Sequence, residues 1–226
     1  MNKNIDHTNL KAYATIEDIT KLCEEAIKYN FKAVCVHPYY VPLAKDILKN
    51  TSVLVCTVIG FPLGMNTKEV KAYEAIDAVS KGADEIDMVI NIGALKDKEY
   101  SYVKEEIEEV RDSISGKTLK VIIETCYLTD DEIIKMTEIC NETFVNFIKT
   151  STGFGTRGCN INDLDLINSH KSETLEIKAS GGIKDYDTAV EFISHGASRL
   201  GTSSGVNIMG GEDLWNYTMN WFGEDL

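Results

Sequence analysis

The sequence has no apolar run approaching the ~20 residues that a membrane-spanning helix needs, so a bundle of membrane helices is excluded. It also lacks basic charge: 23 lysines and arginines stand against 36 aspartates and glutamates, a net charge of −13. The acidic residues are spread along the chain, and such a surface disfavours nucleic acid and anionic membranes as partners. An anionic substrate is repelled at long range too, so a phosphate site has to be built locally from backbone N–H groups or a few cations. The cysteines, Cys23, Cys35, Cys56, Cys126, Cys140 and Cys159, form no C-x-x-C pair, which leaves zinc and thioredoxin-type readings without support. Several lie in apolar runs, where a free cysteine packs as a small hydrophobe. His7, His37, His170 and His195 show no metal-ligand spacing. His170 and His195 fall near predicted helix ends, where a terminal charge is stabilising. The opening MNKNIDHTNL has no apolar core of signal-peptide type. A reduced cytoplasmic protein is expected. No Pro/Gly/Ser-rich linker and no low-complexity segment divide the chain, so one domain over residues 1–226 is expected.

What is present is a soluble-type composition, 43% hydrophobic and 26% charged, with a regular alternation. Short runs rich in Val and Ile occur at 5–8, 33–38, 53–61, 85–91, 119–125, 144–150, 175–181 and 199–204. Near-continuous apolar strands are buried on both faces, as in a parallel sheet. Amphipathic helical patterns fill the gaps at 16–29, 41–49, 67–81, 100–114, 130–141, 162–170, 186–195 and 212–222. Thr129 with Glu132 and Asn160 with Asp163 have capping-box spacing, and Asn66-Thr67 precedes another helical run. Gly82, Gly116 and Gly196 are stop signals. KGADEIDMVIN and HGASRLGTSSG share a helix, Gly-Ala, strand order. About eight strand–helix units predict a single-domain α/β fold, the (β/α)₈ TIM barrel. A doubly wound open sheet is the rival, but the first turns lack the G-x-G-x-x-G fingerprint.

In such a barrel the reacting groups stand at the C-terminal ends of the strands. The ionisable residues there are Asp6, Asp87, Glu124, Lys149 and Lys178. An exposed lysine has a pKa near ~10.4 and is almost wholly protonated. Burial in an apolar barrel mouth and a second cation both disfavour the ammonium form. Two lysines on adjacent strands can therefore leave one amine partly neutral, able to form a Schiff base with a carbonyl. The protonated imine then withdraws electrons while a C–C bond breaks, and Asp87 is the candidate proton carrier. The competing reading is a buried Lys–Asp pair that only locks the barrel. Gly181-Gly182 follow the seventh strand and Ser203-Ser204-Gly205 the eighth, where such barrels hold phosphate. Thr152-Gly153 after Lys149 adds a further wall.

These segments resemble the deoxyribose-phosphate aldolases, a class I aldolase family. The resemblance runs from about Ile5 to Gly205 through IDHTNLKAYAT, AVCVHP, TVIGFPLG, EIDMVINIGALK, KVIIETCYLTDDE, FIKTSTGF, IKASGGI and GTSSG. KTSTGF, KASGGI and EIDMVINIGAL in this order are the specific part. The resemblance implies reversible cleavage of 2-deoxy-D-ribose 5-phosphate to D-glyceraldehyde 3-phosphate and acetaldehyde, with no metal or organic cofactor. By motif it makes Lys149 the Schiff-base lysine, Lys178 the neighbouring cation and Asp87 the proton carrier. Asp6 and Thr8 would line the site, and Gly153, Gly181, Gly182, Ser203 and Ser204 would hold the phosphate. It implies a sugar-phosphate partner and a homo-oligomer, dimer or tetramer.

The chain departs from the pattern at Asn9, His37, Phe154, Arg157 and Cys159. Phe154 stands where some members have a lysine, which shifts phosphate affinity toward backbone N–H groups. Arg157 reaches the phosphate or, the favoured expectation, is a solvated surface charge. Cys35 and Cys126 are expected to pack ordinarily near the cavity. No tyrosine follows Tyr217, so a terminal-tyrosine proton assist is not expected. Two alternatives stay open: another Schiff-base aldolase or transaldolase, and a barrel that binds a sugar phosphate without catalysis.

Overall fold

The β-branched runs form eight parallel strands: β1 (Ile5–Asn9), β2 (Ala33–Val36), β3 (Leu54–Ile59), β4 (Glu85–Val89), β5 (Thr118–Ile122), β6 (Phe147–Lys149), β7 (Glu176–Ser180) and β8 (Ala197–Thr202). In this computed structural model, which describes residues 1–211, they close in chain order into a barrel. Closure is the β1–β8 pairing, with Asp6 opposite Gly201. The helices are α1 (Ile16–Tyr29), α2 (Val41–Leu48), α3 (Lys68–Ser80), α4 (Ile92–Lys96), α5 (Tyr100–Ser113), α6 (Asp130–Glu142), α7 (Ile161–His170) and α8 (Tyr186–Ser194). Residues 205–211 are helical as well. The TIM barrel predicted by the alternation is the fold observed.

Local chemistry sets the helix ends. Thr129 with Glu132 and Asn160 with Asp163 make full capping boxes. Thr15 with Asp18 makes a third. Each satisfies two amides that the first helical turn leaves unpaired. Thr67 precedes α3 as expected, but its side chain makes no cap bond. Gly82 and Gly196 sit at φ 111° and 97°, and each turns a helix end into the next strand. That is the physical basis of the repeated Gly-Ala order.

The strands differ from the expected runs in extent. Only Phe147–Lys149 of the run 144–150 is strand, because Phe144 at φ 52° belongs to the turn that ends α6. The run 85–91 stops at Val89, and the short helix α4 follows. Its start was readable: the Asn91 side chain accepts a hydrogen bond from the Ala94 N–H. The helical pattern at 212–222 lies outside the described residues.

The main apolar core lies between barrel and helices. Val34, Val55, Ile86, Val121, Ile148 and Ile177 point outward from the strands and meet Ile19, Ala75, Ile107, Met136 and Leu164 from the helices. Each such aliphatic side chain, fully buried, contributes about 1.5–3 kcal/mol. With the apolar set outside, the alternate positions inside the barrel are free to carry charge.

Candidate active site

Period-two alternation decides which side chains turn inward. On β4 these are Glu85 and Asp87, on β5 Lys120, on β6 Lys149, on β7 Lys178, on β8 Arg199 and on β1 Asp6. All seven are buried. The register places Asp87 beside Lys120 and Lys149 beside Lys178.

Asp87 is the hub. Its Oδ2 accepts from Lys149 Nζ at 2.8 Å and from Lys178 Nζ at 2.7 Å. Its Oδ1 accepts from Lys120 Nζ at 2.8 Å and from the Cys56 thiol at 3.1 Å. Burial favours a protonated Asp87, but Lys120, Lys149 and Lys178 together outweigh it and hold the carboxyl well below the usual range. Burial likewise opposes the charge on Lys178, and Asp6 and Asp87 outweigh it and push Lys178 up. Lys120 is pushed up in the same way, chiefly by Asp87 against burial. Asp87 therefore stays an anion, and Lys120 and Lys178 stay cations, around the Lys149 amine.

The sequence reading placed this amine in an apolar barrel mouth. The barrel interior around it is instead an ionised network. The cause is the pleat: the apolar members of β4, β5 and β6 face the helices, leaving the inner positions to charge.

A cavity of about 550 Å³ opens at the C-terminal ends of the strands. Lys149, Thr8, Gly153, Gly181, Gly182, Ser203 and Ser204 all line it. Lys178 and Asp87 do not reach it; they lie sealed beneath Lys149 at 0% exposure. Asp6 does not line it either, which corrects the expectation drawn from IDHT. Inside the barrel Asp6 Oδ1 accepts from Arg199 Nη1 at 2.5 Å, and Asp6 Oδ2 forms an ion pair with Lys178 Nζ at 2.5 Å. Thr8 lies at the wall, with its hydroxyl donating to its own strand at Asp6 O.

The loops after β6, β7 and β8 form the polar wall. Gly153 and Gly182 adopt φ +88° and +83°, a region that favours glycine. Gly158 and Gly181 meet backbone to backbone, since a Cβ on Gly158 would lie 2.1 Å from Gly181 O. The Cys159 N–H donates to Ser180 O at 3.0 Å and ties the two loops together. The Ser204 N–H is occupied by Thr202 Oγ1. The Phe154 N–H is occupied by Thr152 Oγ1. Among the described residues the N–H groups of Gly153, Gly182 and Ser203 carry no such bond. Glu124, at φ 52°, accepts from both the N–H and the hydroxyl of Thr152 and so fixes the loop that follows Lys149.

An aromatic cluster adjoins the loop after β6. Phe154 meets Phe61 edge-on at 5.4 Å, and Phe61 meets His37 at 6.0 Å. Arg157 neither reaches the phosphate wall nor stands free in solvent. Its guanidinium pairs with Asp163 at 2.6 Å and donates to Thr125 O and Gly158 O. It is a brace between the loop after β6 and the start of α7. Cys35 is buried opposite Cys56 on the neighbouring strand, while Cys126 is half-buried.

Glu85, Lys120 and Arg199 were missed by a search confined to strand ends. All lie at inward positions deeper in the barrel. The signal was present: Lys120 interrupts LKVII, and Glu85 stands two residues before Asp87, on the same face. Two sets of ligand-type atoms lie within 4.8 Å of each other, Cys35–Cys56–Asp87 and Asp6–Cys56–Glu85. Lys120 Nζ sits among them, 2.6 Å from Glu85, 2.8 Å from Asp87 and 3.3 Å from Cys56 Sγ. The ammonium fills the place a metal cation would need, and these residues do not fit a metal.

A sequence model of the DeoC/LacD family aldolases matches residues 1–210. The deoxyribose-phosphate aldolase of Thermococcus kodakarensis is 56% identical over 92% of this chain and 94% of its own. That of Finegoldia magna is 54% identical over 93% of this chain and 99% of its own. A tetrameric structure of deoxyribose phosphate aldolase from Aeropyrum pernix superposes with a TM-score of 0.87 at 31% identity, over 94% of this chain and 90% of that one. A buried amine at the mouth of a barrel, a carboxylate behind it and a matching family along almost the whole chain lead to one conclusion: the chain belongs to the DeoC/LacD family of aldolases.

Proposed function

We propose that the protein cleaves 2-deoxy-D-ribose 5-phosphate reversibly into D-glyceraldehyde 3-phosphate and acetaldehyde, through a Schiff base on Lys149. The observation that carries this is the position of Lys149. Among the cations bonded to Asp87, it alone reaches the cavity.

The Lys149 amine attacks C1 of the open-chain aldehyde. The carbinolamine loses water to give a protonated imine. A base takes the proton of the C3 hydroxyl, the C2–C3 bond breaks, and the electron pair moves into an enamine. D-glyceraldehyde 3-phosphate leaves. Protonation at C2 and hydrolysis of the imine release acetaldehyde and restore the amine. Asp87 accepts and returns protons at Lys149, where its Oδ2 already touches Nζ. Lys178 stays charged beside it and shares Asp87 Oδ2 with it. The phosphate binds at the opposite wall, on the N–H groups of Gly153, Gly182 and Ser203 and near Gly181 and the Ser204 hydroxyl. Thr8 lines the cavity near the sugar, and Asp6 acts from below through Lys178.

The same reading includes a homo-oligomer, a dimer or a tetramer. The Aeropyrum pernix relative is tetrameric. Here α3 turns Val70, Tyr73 and Ile76 outward, and Leu63 and Met65 are exposed in the preceding segment. These apolar residues are suited to a contact between copies.

The test is turnover with the sugar phosphate and with acetaldehyde as donor. Acceptance of acetaldehyde separates this reading from aldolases that need a ketone donor. Lys149→Ala is expected to abolish both directions while the protein stays folded. Turnover within about tenfold of wild type would contradict the assignment.

A further inference from the structure

Arg199 and Glu85 have no part in the steps above, yet both are buried under them. Arg199 is 5% exposed and Glu85 2%. Two buried charges so close to the reacting amine are costly to desolvate unless paired, and their pairing is specific. Arg199 Nη1 holds Asp6 Oδ1 at 2.5 Å. Nη2 and Nη1 hold Glu85 Oε1 and Oε2 at 2.9 and 3.2 Å. The guanidinium also lies 5.2 Å from the centre of the Phe147 ring.

Two chains of contacts leave this fork. One runs through Asp6, whose second oxygen meets Lys178 at 2.5 Å, and Lys178 meets Asp87 Oδ2. The other runs through Glu85, whose Oε2 meets Lys120 at 2.6 Å, and Lys120 meets Asp87 Oδ1. The two chains end on different oxygens of the same carboxylate. Each oxygen of Asp87 is thus reached from one guanidinium by a separate chain of contacts, one through Asp6 and one through Glu85.

The charges point the same way. The carboxylates of the ion-paired cluster are Asp6, Glu85 and Asp87; its cations besides Lys149 are Lys120, Lys178 and Arg199. These six balance. The other inward titratable groups are the thiols of Cys35 and Cys56, and Glu124, which bonds Thr152. Counted without Glu124, which bonds Thr152 outside the ion-paired set, the cluster is neutral when the Lys149 amine carries no proton.

We propose that Arg199 is a positioning residue for the aldol chemistry: with Glu85 it aims both oxygens of Asp87 and supplies one of the cations that balance the carboxylates beneath Lys149. The proposal rests on Lys149 being the imine-forming lysine. It assigns separate tasks to charge and geometry. Arg199→Met removes a cation and leaves a buried negative charge, which a proton on Lys149 cancels. Arg199→Lys keeps the charge but cannot hold both carboxylates with a planar fork. Glu85→Gln removes an anion and acts with the opposite sign.

The experiment is the pH dependence of borohydride trapping of acetaldehyde on the full chain, with kcat and KM measured alongside. In Arg199→Met the acid limb of trapping moves to higher pH by about one unit. Its kcat at pH 7 falls about tenfold, with KM for the sugar phosphate within about twofold. Arg199→Lys keeps the wild-type limb and loses kcat. Glu85→Gln moves the limb to lower pH. An unmoved limb in folded Arg199→Met, or a limb in Glu85→Gln that stays or moves upward, overturns the proposal. The Glu85→Gln arm decides it if Arg199→Met does not fold. Absence of any trapped adduct in the wild type would overturn the Schiff-base reading itself and is thereby distinguished.

Discussion

At the scale of the residue, the proposed chemistry centres on the three lysines that share Asp87. They are alike in type and differ in access: Lys149 reaches the cavity, whereas Lys120 and Lys178 are sealed. Lys178→Leu removes the cation that shares Asp87 Oδ2 with Lys149. The freed carboxylate favours the ammonium form of Lys149, so the acid limb of the pH–rate profile moves to higher pH. A limb that does not move would refute the like-charge argument. Asp87→Asn keeps the shape and removes the anion. It lowers kcat by about 10²–10⁴-fold, the usual worth of a positioned proton carrier, and steady-state kinetics on the sugar phosphate check it. Lys149, Lys178 and Asp87 were legible because a charge inside an apolar strand is conspicuous. The strand-end rule looked one pleat too high for Lys120, Glu85 and Arg199. Arg157 could not be placed from sequence, because its partner Asp163 lies across a loop whose path depends on the Gly158–Gly181 contact.

At the scale of the element, α3 and α5 are pinned by an ion pair far from the chemistry. Lys71 Nζ meets Glu106 Oε2 at 2.6 Å, and both side chains are at 0% exposure. Glu106 Oε1 also accepts from the Asn91 N–H at 2.6 Å, just after β4. Burial pushes Lys71 down and Glu106 up despite the partner, so desolvation is the larger influence on each. Removing one member leaves the other buried and unpaired. Lys71→Met is expected to cost about 3–5 kcal/mol of stability, and the double variant Lys71→Met/Glu106→Leu to recover most of it. Denaturant unfolding of the set checks this; equal losses in single and double variants would contradict it. Helix starts at Thr129 and Asn160 were readable because a cap is local chemistry. The start of β6 was less readable, since the turn after α6 and the barrel register set it rather than local preference.

At the scale of the molecule, the interior network links stability to pH. Asp6 and Asp87 have folded-state pKa values below the unfolded value of about 3.9. Their contribution is complete above that unfolded value and is lost as pH falls toward the folded ones. The melting temperature is expected to drop steeply once pH falls below about 4, and a melting temperature indifferent to pH across pH 5 to 3 would refute this. The apolar face of α3 predicts a solution mass that is a multiple of 25.2 kDa, and Tyr73→Asp should reduce it in light scattering. The barrel itself was legible from the eight-fold alternation, since parallel strands buried on both faces leave few other architectures. That its interior would be ionic could not be read from the alternation alone, because the strand runs are apolar on average. The most direct measurement uses the whole chain, where every lysine competes for the same aldehyde: borohydride reduction with acetaldehyde, followed by peptide mass mapping. The account predicts a reduced two-carbon adduct on Lys149. An adduct confined to Lys178 or Lys120, or none in a protein that still binds the sugar phosphate, would contradict it.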